Sequence, residues 1–166
     1  MIFTKTPTYS LKIIADAFKK QDLLRFEQHI DIDSIFDKGY SSLIMKYAEK
    51  EGKTKDLNEP LVAGLIQMMK PVAINTWKTV VDERIKKTFA DNSTNKEIDK
   101  IKISKLKEES VVENNAVVSF EIEKEKEKHF VKLKMQRLEN KEWKITEIIN
   151  IADFVDQFGS NFKPKI

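Results

Sequence analysis

Few residue types in this chain could do chemistry. The sequence of 166 residues contains no cysteine and two histidines, His29 and His129. The absence of cysteine excludes disulfides, thiolate zinc sites and a cysteine nucleophile. The two histidines lie in different halves of the chain without ligand spacing around either, and the sequence has no Asp-x-Asp-x-Asp-Gly calcium loop. The sequence therefore predicts neither a metal site nor a cofactor.

Lysines recur in the stretch EIEKEKEKHFVKLK, which begins at Glu121 and contains Phe130. Lysines at alternate positions beside an aromatic ring mimic a strand that binds nucleic acid. Glutamates of the same stretch cancel the positive charge, and the net charge of the whole chain is only +3. Mixed charges are typical of a solvated strand face with cross-strand ion pairs. We expect no nucleic-acid partner.

The most apolar stretch is LVAGLIQMMKPVAI, from Leu61 to Ile74. Methionines are flexible and polarizable, so Met68 and Met69, with Trp77 just beyond them, could contact a ligand or a partner peptide. Residues of this kind more often fill a core. The stretch has 14 residues and contains a lysine, whereas a membrane-spanning helix needs roughly 18 apolar residues.

Helical spacing dominates the first ninety residues. One stripe recurs at i, i+3, i+4 and i+7, and its members are Leu11, Ile14, Ala15 and Phe18. This spacing predicts a helix whose stripe faces a core. Further apolar runs extend the helical part over residues 8–90. Because the stretch from Leu61 to Ile74 is apolar nearly all round, we expect it to be enclosed on several sides.

After a polar connector the apolar period changes from helical to two. Four alternating segments are centred near Ile103, Phe120, Leu133 and Ile145. Short connections between them favour antiparallel hairpins. The sequence thus predicts an α+β domain in which N-terminal helices cover one face of a curved antiparallel four-stranded meander sheet over 98–150. A short helix at 152–158 closes the fold, and residues 1–166 form a single domain, as their number suggests.

The stretch EWKITEIIN, in the last strand, places Trp143 and Ile145 on one face of the sheet. We expect Trp143 to be buried between the sheet and the helices, with its ring N–H bonded nearby. The tryptophan is then part of the core rather than of a surface site.

Helices followed by a meander whose last strand has the pattern W-K-I-T-x-I resemble the nuclear-transport-factor-2-like superfamily of cone-shaped α+β domains. The opening is similar to bacterial domains of unknown function in that group, which begin Pro-x-Tyr-x-Leu and reach an Ile-Asp pair. The matching residues here are Pro7, Tyr9, Leu11, Ile30 and Asp31. The cystatin-like arrangement is the alternative fold.

In such bacterial proteins this segment commonly follows an N-terminal membrane anchor or signal. The resemblance therefore implies a place in the cell envelope or outside the cell. The first residues, MIFTKTPTYS, have neither the basic segment nor the apolar run of a secretory signal. As given, the sequence predicts a soluble protein.

Enzymes of the cone-shaped superfamily place acids, histidines and tyrosines in a pocket between helices and sheet, where burial tunes a carboxylate toward a general base. The residues that the resemblance offers for this role are Asp16, His29, Asp31 and Tyr40. Other interpretations compete with it. Asp16 lies between alanines and can point outward, His29 suits a helix C-terminus, and Asp31 is a typical helix N-cap.

We therefore expect a non-catalytic binding or interaction module with an apolar pocket between the helices and the sheet. Its partner would be a small hydrophobic ligand or a protein. One alternative is a small-molecule enzyme that uses an aspartate or histidine in that pocket. The other is a structural domain that forms a homodimer through the outer face of the sheet.

Overall fold

The computed structural model describes residues 5–90 and 100–154. Within these ranges four helices precede four strands. The helices are α1 (Pro7–Lys19), α2 (Leu23–Gln28), α3 (Ile32–Lys50) and α4 (Pro60–Ala90), and the strands are β1 (Lys102–Val112), β2 (Asn115–Lys124), β3 (Glu127–Arg137) and β4 (Trp143–Ile148). The strands form an antiparallel sheet that does not close, in the order β1-β2-β3-β4. The predicted α+β class is confirmed.

Two 3-10 helices complete the described elements, Thr54–Asn58 before α4 and Ile151–Phe154 after β4. The closing helix predicted at 152–158 lies largely outside the described residues. Only its beginning can be compared, and that part is the 3-10 helix Ile151–Phe154.

Side-chain caps begin the first three helices. Thr6 caps α1 with Pro7 at its first position, Asp22 caps α2, and Asp31 caps α3. Each cap accepts a backbone N–H of the first turn, which has no acceptor within the helix. The interpretation of Asp31 as a helix cap is confirmed.

The core lies between α3 and the inner face of the sheet. On that face Val118 pairs with Leu133 and Phe120 pairs with Val131 across β2 and β3. These side chains are buried against an apolar stripe of α3 formed by Phe36, Tyr40, Leu43 and Ile44. The alternation that predicts the strands therefore separates a core face from a solvent face.

Trp143 is fully buried at the start of β4, with 0% of its surface exposed. Its ring Nε1–H donates to the backbone carbonyl of Lys5 at 3.1 Å, and its backbone N–H donates to Oγ of Ser10 at 2.8 Å. The prediction of a buried ring with a satisfied N–H is confirmed. Trp143 thereby fastens the start of α1 to the sheet.

Helix α4 is open to solvent on one side, contrary to the expected enclosure of Leu61–Ile74. Leu61 and Met68 are each 76% exposed and Val72 is 68% exposed. The opposite side of α4 packs on α3, where the hydroxyl of Tyr40 donates to the carbonyl of Ile66 at 2.6 Å. The part of α4 over residues 61–74 is apolar nearly all round, but the described residues provide a neighbour for one side only.

Strand β1 lies at the edge of the sheet and is exposed along its whole length. Its register with β2 shifts between Ser104 and Lys107 and again between Glu108 and Ser110. Lys105 adopts a φ of 55° at the first shift. Irregularities of this kind bend a strand and increase its twist.

The outer face of the sheet carries the charges that the sequence predicts there. Lys132 pairs with Glu109 at 3.0 Å, while Lys105 and Lys128 approach Glu121 at 3.1 and 3.9 Å. The charged residues of EIEKEKEKHFVKLK thus form a solvated face with cross-strand ion pairs, which also discourages edge-to-edge aggregation.

Candidate functional site

The four residues that the resemblance offers for catalysis do not come together. Asp16 is exposed and forms an ion pair with Lys20 at 3.1 Å, within α1. Tyr40 is buried in α3, where its hydroxyl bonds to a carbonyl of α4 and burial raises its pKa. Asp31 and His29 lie near each other in sequence but make separate contacts.

His29 is almost completely buried, and both of its ring nitrogens face acceptors. Nδ1 lies 2.7 Å from the carbonyl of Arg25, and Nε2 lies 2.8 Å from Oε2 of Glu142. A carbonyl can only accept a hydrogen bond, so Nδ1 is the donor to Arg25. The pair joins the end of α2 to the turn before β4, which is a structural role.

The surroundings of Glu142 change the pKa of its carboxyl group. Burial by itself raises the pKa of Glu142, but the hydrogen bond from His29 and the charges of His29, Lys5 and Arg25 outweigh it. The pKa of Glu142 therefore lies below its ordinary value. A carboxylate shifted in this direction is a weaker base, the reverse of what general base catalysis at neutral pH requires.

Asp31 borders a polar cleft of about 400 Å³ beside α3 and α4. Its carboxylate accepts the N–H of Ser34 at 3.0 Å and pairs with Lys144 at 3.2 Å. Burial raises the pKa of Asp31, and these two partners outweigh it, so that the pKa is lowered. Across the cleft Lys78 pairs with Asp33 at 2.9 Å. Lysines of this cleft are thus already engaged by its acids.

The three residues suggested for ligand contact lie at different places on α4. Trp77 is 3% exposed and packs on the rings of Phe36 and Tyr40, with centroids 5.7 and 5.6 Å away. Met68 and Met69 are exposed on the outer side of the helix. None of the three lines a described cavity.

An apolar cavity of about 580 Å³ opens between α1 and the inner face of the sheet. Its described lining consists of twelve apolar side chains and two lysines, and no acidic or histidine side chain is among them. The apolar residues are Leu11, Ile14, Ala15, Phe18, Phe26, Ile101, Ile103, Leu106, Phe120, Ile122, Leu133 and Ile145. The lysines are Lys12 and Lys19.

Helix α1 forms one wall of the cavity because two of its adjacent faces have different roles. One face, with Ser10, Ile13 and Ala17, is buried against the fold. The next face is the predicted stripe at i, i+3, i+4 and i+7, which turns toward the sheet. As expected, Leu11 and Ile14 of the stripe pack against the core. All four stripe residues also form the wall of an open space.

Both ends of α1 are fastened, so the space between them is held open. At the N-terminal end the backbone N–H and hydroxyl of Thr8 donate to Oε1 of Glu108 on β1, at 3.2 and 2.8 Å. At the other end Phe18 contacts Phe26 and Phe89, with ring centroids 5.8 and 5.2 Å away. Along α1, the Thr8–Glu108 contact lies at one end of the cavity and the aromatic cluster lies at the other end.

Comparisons with family models, with curated proteins and with solved structures find no match for this chain. The site must therefore be interpreted from its own residues. Within 5–90 and 100–154, no three acidic or histidine side chains are grouped so that they could hold a metal ion. In the same part of the chain no helix has the length and apolar character needed to cross a membrane.

Proposed function

We propose that the protein is a non-catalytic binding module that takes a small, largely apolar molecule into the cavity between α1 and the sheet. The observation that supports this function is the lining, in which twelve of fourteen described residues are apolar. A volume of about 580 Å³ is within the range of pockets that hold small ligands. Apolar burial would supply the affinity.

An enzyme that uses Asp16, His29 or Asp31 is the less favoured alternative. Such an enzyme needs at least two titratable groups that face one cavity. Here Asp16 points to Lys20, His29 is bonded to Glu142, and Asp31 caps a helix. We also propose that the chain belongs to a bacterial, envelope-associated group of the cone-shaped superfamily, on the resemblance of its opening residues and of its W-K-I-T-x-I pattern.

Filling the cavity with a side chain tests the binding function. Ala15 lines the cavity, so Ala15→Phe would occupy part of it, whereas Ala63→Phe adds the same ring at an exposed position of α4. The probe is N-phenyl-1-naphthylamine, a neutral dye that fluoresces in apolar surroundings. We expect the parent protein and Ala63→Phe to bind the dye, and Ala15→Phe to bind it at least roughly tenfold more weakly, since lost apolar contacts raise the dissociation constant.

Circular dichroism of both variants checks that each is folded. Equal dye affinity in a folded Ala15→Phe and in the parent would show that the dye binds elsewhere, and it would contradict the proposal. Absence of dye binding to the parent would contradict it as well.

Formation of a homodimer is a second candidate function, and we propose α4 rather than the sheet as its surface. The α4 apolar face consists of Leu61, Leu65, Met68 and Val72, with exposures of 76%, 49%, 76% and 68%. Their spacing of four, three and four residues is that of a coiled-coil seam. The paired charges on the outer face of the sheet make that face less suitable.

A second copy of this chain is the occupant that suits the α4 apolar face. Between Leu61 and Thr79 the only charged residues are Lys70 and Lys78, and both turn inward to pair with Asp37 and Asp33 of α3. A face without charge offers nothing to a charged partner but matches an antiparallel copy of itself.

Sedimentation velocity over a wide concentration range tests the dimer. We expect a dimer in the parent that is lost in Met68→Glu and retained in Leu24→Glu, because Leu24 is also exposed, at 69%, but lies on α2. A monomer at every concentration, or a dimer that survives Met68→Glu, would contradict this second candidate. Vesicle binding that Met68→Glu abolishes in a monomeric protein would assign the face to a membrane instead.

A further inference from the structure

We infer that the ligand of the apolar cavity is an amphipathic anion, with its tail against the sheet and its negative head group at Lys12 or Lys19. This inference rests on the proposed binding function and adds the chemical class of the ligand. It starts from the two polar residues of the lining, which are both lysines.

Lys12 and Lys19 lie on the same side of α1. They are seven residues apart, which is about two helical turns and about 10 Å along the axis. The stripe residues Ile14, Ala15 and Phe18 lie between them in sequence and line the same cavity. The apolar wall of α1 therefore has an amine near each end.

Neither lysine is neutralised by the described part of the protein. Lys12 and Lys19 are exposed and have no ion-pair partner among the described residues, whereas the neighbouring Lys20 is paired with Asp16. Glu108, an acid of β1, is bonded to Thr8. Both amines are thus available to an incoming anion.

The lining would also not repel an anion, since no carboxylate is among its described residues. Three residues of the lining, Phe120, Leu133 and Ile145, are buried and belong to the inner face of the sheet. Burial of an alkyl chain there leaves a carboxylate or phosphate head at the rim, where lysines extend their charged ends into water. Carboxylate and phosphate are both anions, and negative charge is the property that the two lysines would select.

The test compares probes that differ only in the head group. Dodecanoate, dodecyl phosphate and neutral dodecanol are titrated by calorimetry below their micelle-forming concentrations, against the parent, Lys12→Gln/Lys19→Gln and Lys86→Gln. Lys86 is an exposed lysine of α4 that does not line the cavity. We expect at least one anion to bind the parent roughly fivefold more tightly than dodecanol, as expected for exposed charge pairs.

In Lys12→Gln/Lys19→Gln this preference should disappear while the affinity for dodecanol is unchanged, and Lys86→Gln should behave like the parent. The anion that binds more tightly identifies the head group. Added salt should also reduce the preference.

Equal affinity of all three probes for the parent would overturn the inference and leave the binding function standing. Failure of all three to bind would overturn both. An anion preference that survives in Lys12→Gln/Lys19→Gln, or that is lost in Lys86→Gln, would show that other charges select the anion and would overturn the inference.

Discussion

Thr8 and Glu108 connect α1 to the edge strand through one oxygen atom. The backbone N–H and the hydroxyl of Thr8 both donate to Oε1 of Glu108, at 3.2 and 2.8 Å. The first N–H groups of a helix have no acceptor inside it. The acceptor for Thr8 therefore comes from β1, a hundred residues away in sequence, and the bond holds the N-terminal end of the cavity.

Replacing Glu108 with alanine should release this end of α1. We expect the amide of Thr8 to exchange with solvent about fivefold faster in Glu108→Ala, because one backbone hydrogen bond is lost. Hydrogen exchange followed by NMR measures the rate. Glu109→Ala is the matched control, since Glu109 pairs with Lys132 on the outer face of the sheet. An unchanged Thr8 rate in Glu108→Ala would show that the bond does not form in solution.

The buried pair of His29 and Glu142 should stabilise the fold in a pH-dependent way. Removing the charge in Glu142→Gln is expected to lower the free energy of unfolding at pH 7 by about 2 kcal/mol, as for a hydrogen bond to a charged group. Because the pKa of Glu142 is lowered in the folded state, its contribution is complete above the ordinary value of 4.5 and is lost as the pH falls through the folded-state value.

Urea unfolding of the parent and of Glu142→Gln at a series of pH values measures this contribution. The difference between the two proteins should shrink as the pH decreases below about 4.5. Asp31, whose pKa is also lowered, is present in both proteins, so its effect cancels in the difference. A difference that stays constant down to the acid limit would contradict the assignment of this titration to Glu142.

Trp143 should contribute both packing and one hydrogen bond. We expect Trp143→Ala to lower the free energy of unfolding by about 3–5 kcal/mol, since a fully buried ring leaves a cavity. In Trp143→Phe most packing is kept but the carbonyl of Lys5 loses its donor, which costs about 1 kcal/mol. Chemical denaturation measures both values. A loss below about 1 kcal/mol for Trp143→Ala would indicate a surface ring.

Two methionines provide a direct comparison between the outer side of α4 and the core. Met68 is 76% exposed and Met135 is 0% exposed. We expect Met68→Ala to change the free energy of unfolding of the monomer by less than about 0.5 kcal/mol and Met135→Ala to lower it by about 2–5 kcal/mol. Thermal or urea denaturation at low protein concentration gives both values. Similar losses for the two would mean that the outer side of α4 is covered in solution.

Local periodicity predicts much of the fold. The alternation around Phe120, Leu133 and Ile145 locates strands and their buried face. Trp143 lies two residues before Ile145 on the same strand and therefore on the same face, which predicts the burial of the tryptophan. The extent of β1 is harder to predict, because Lys105–Ser110 contains two register shifts that interrupt the alternation.

The exposure of the outer side of α4 does not follow from composition, for a different reason. Composition shows that Leu61–Ile74 is apolar all round, but not which sides meet a neighbour. Tertiary contacts such as those of Tyr40 and Lys70 determine which side faces α3. An apolar composition therefore predicts an enclosed helix even where one face of that helix is open to solvent.

The candidate site could be predicted only in part. The spacing predicts the stripe of α1, yet a helix stripe that lines a void has the same pattern as one that packs in a core. Lys12 and Lys19 gave no signal, because lysines beside a helix stripe are common. The pair of His29 and Glu142 joins residues 113 positions apart in sequence, a distance over which local patterns carry no information.

The most direct test of the binding function is to locate a bound neutral ligand. Isotope-filtered NOE spectra of the protein with dodecanol report which side chains lie near its alkyl chain. Binding in the cavity predicts intermolecular NOEs to methyl groups of Ile14, Ile122 and Leu133, which line it, and none to Leu65 on the α4 apolar face. NOEs confined to Leu65 and its neighbours on that face, or no intermolecular NOEs at saturating ligand, would contradict it.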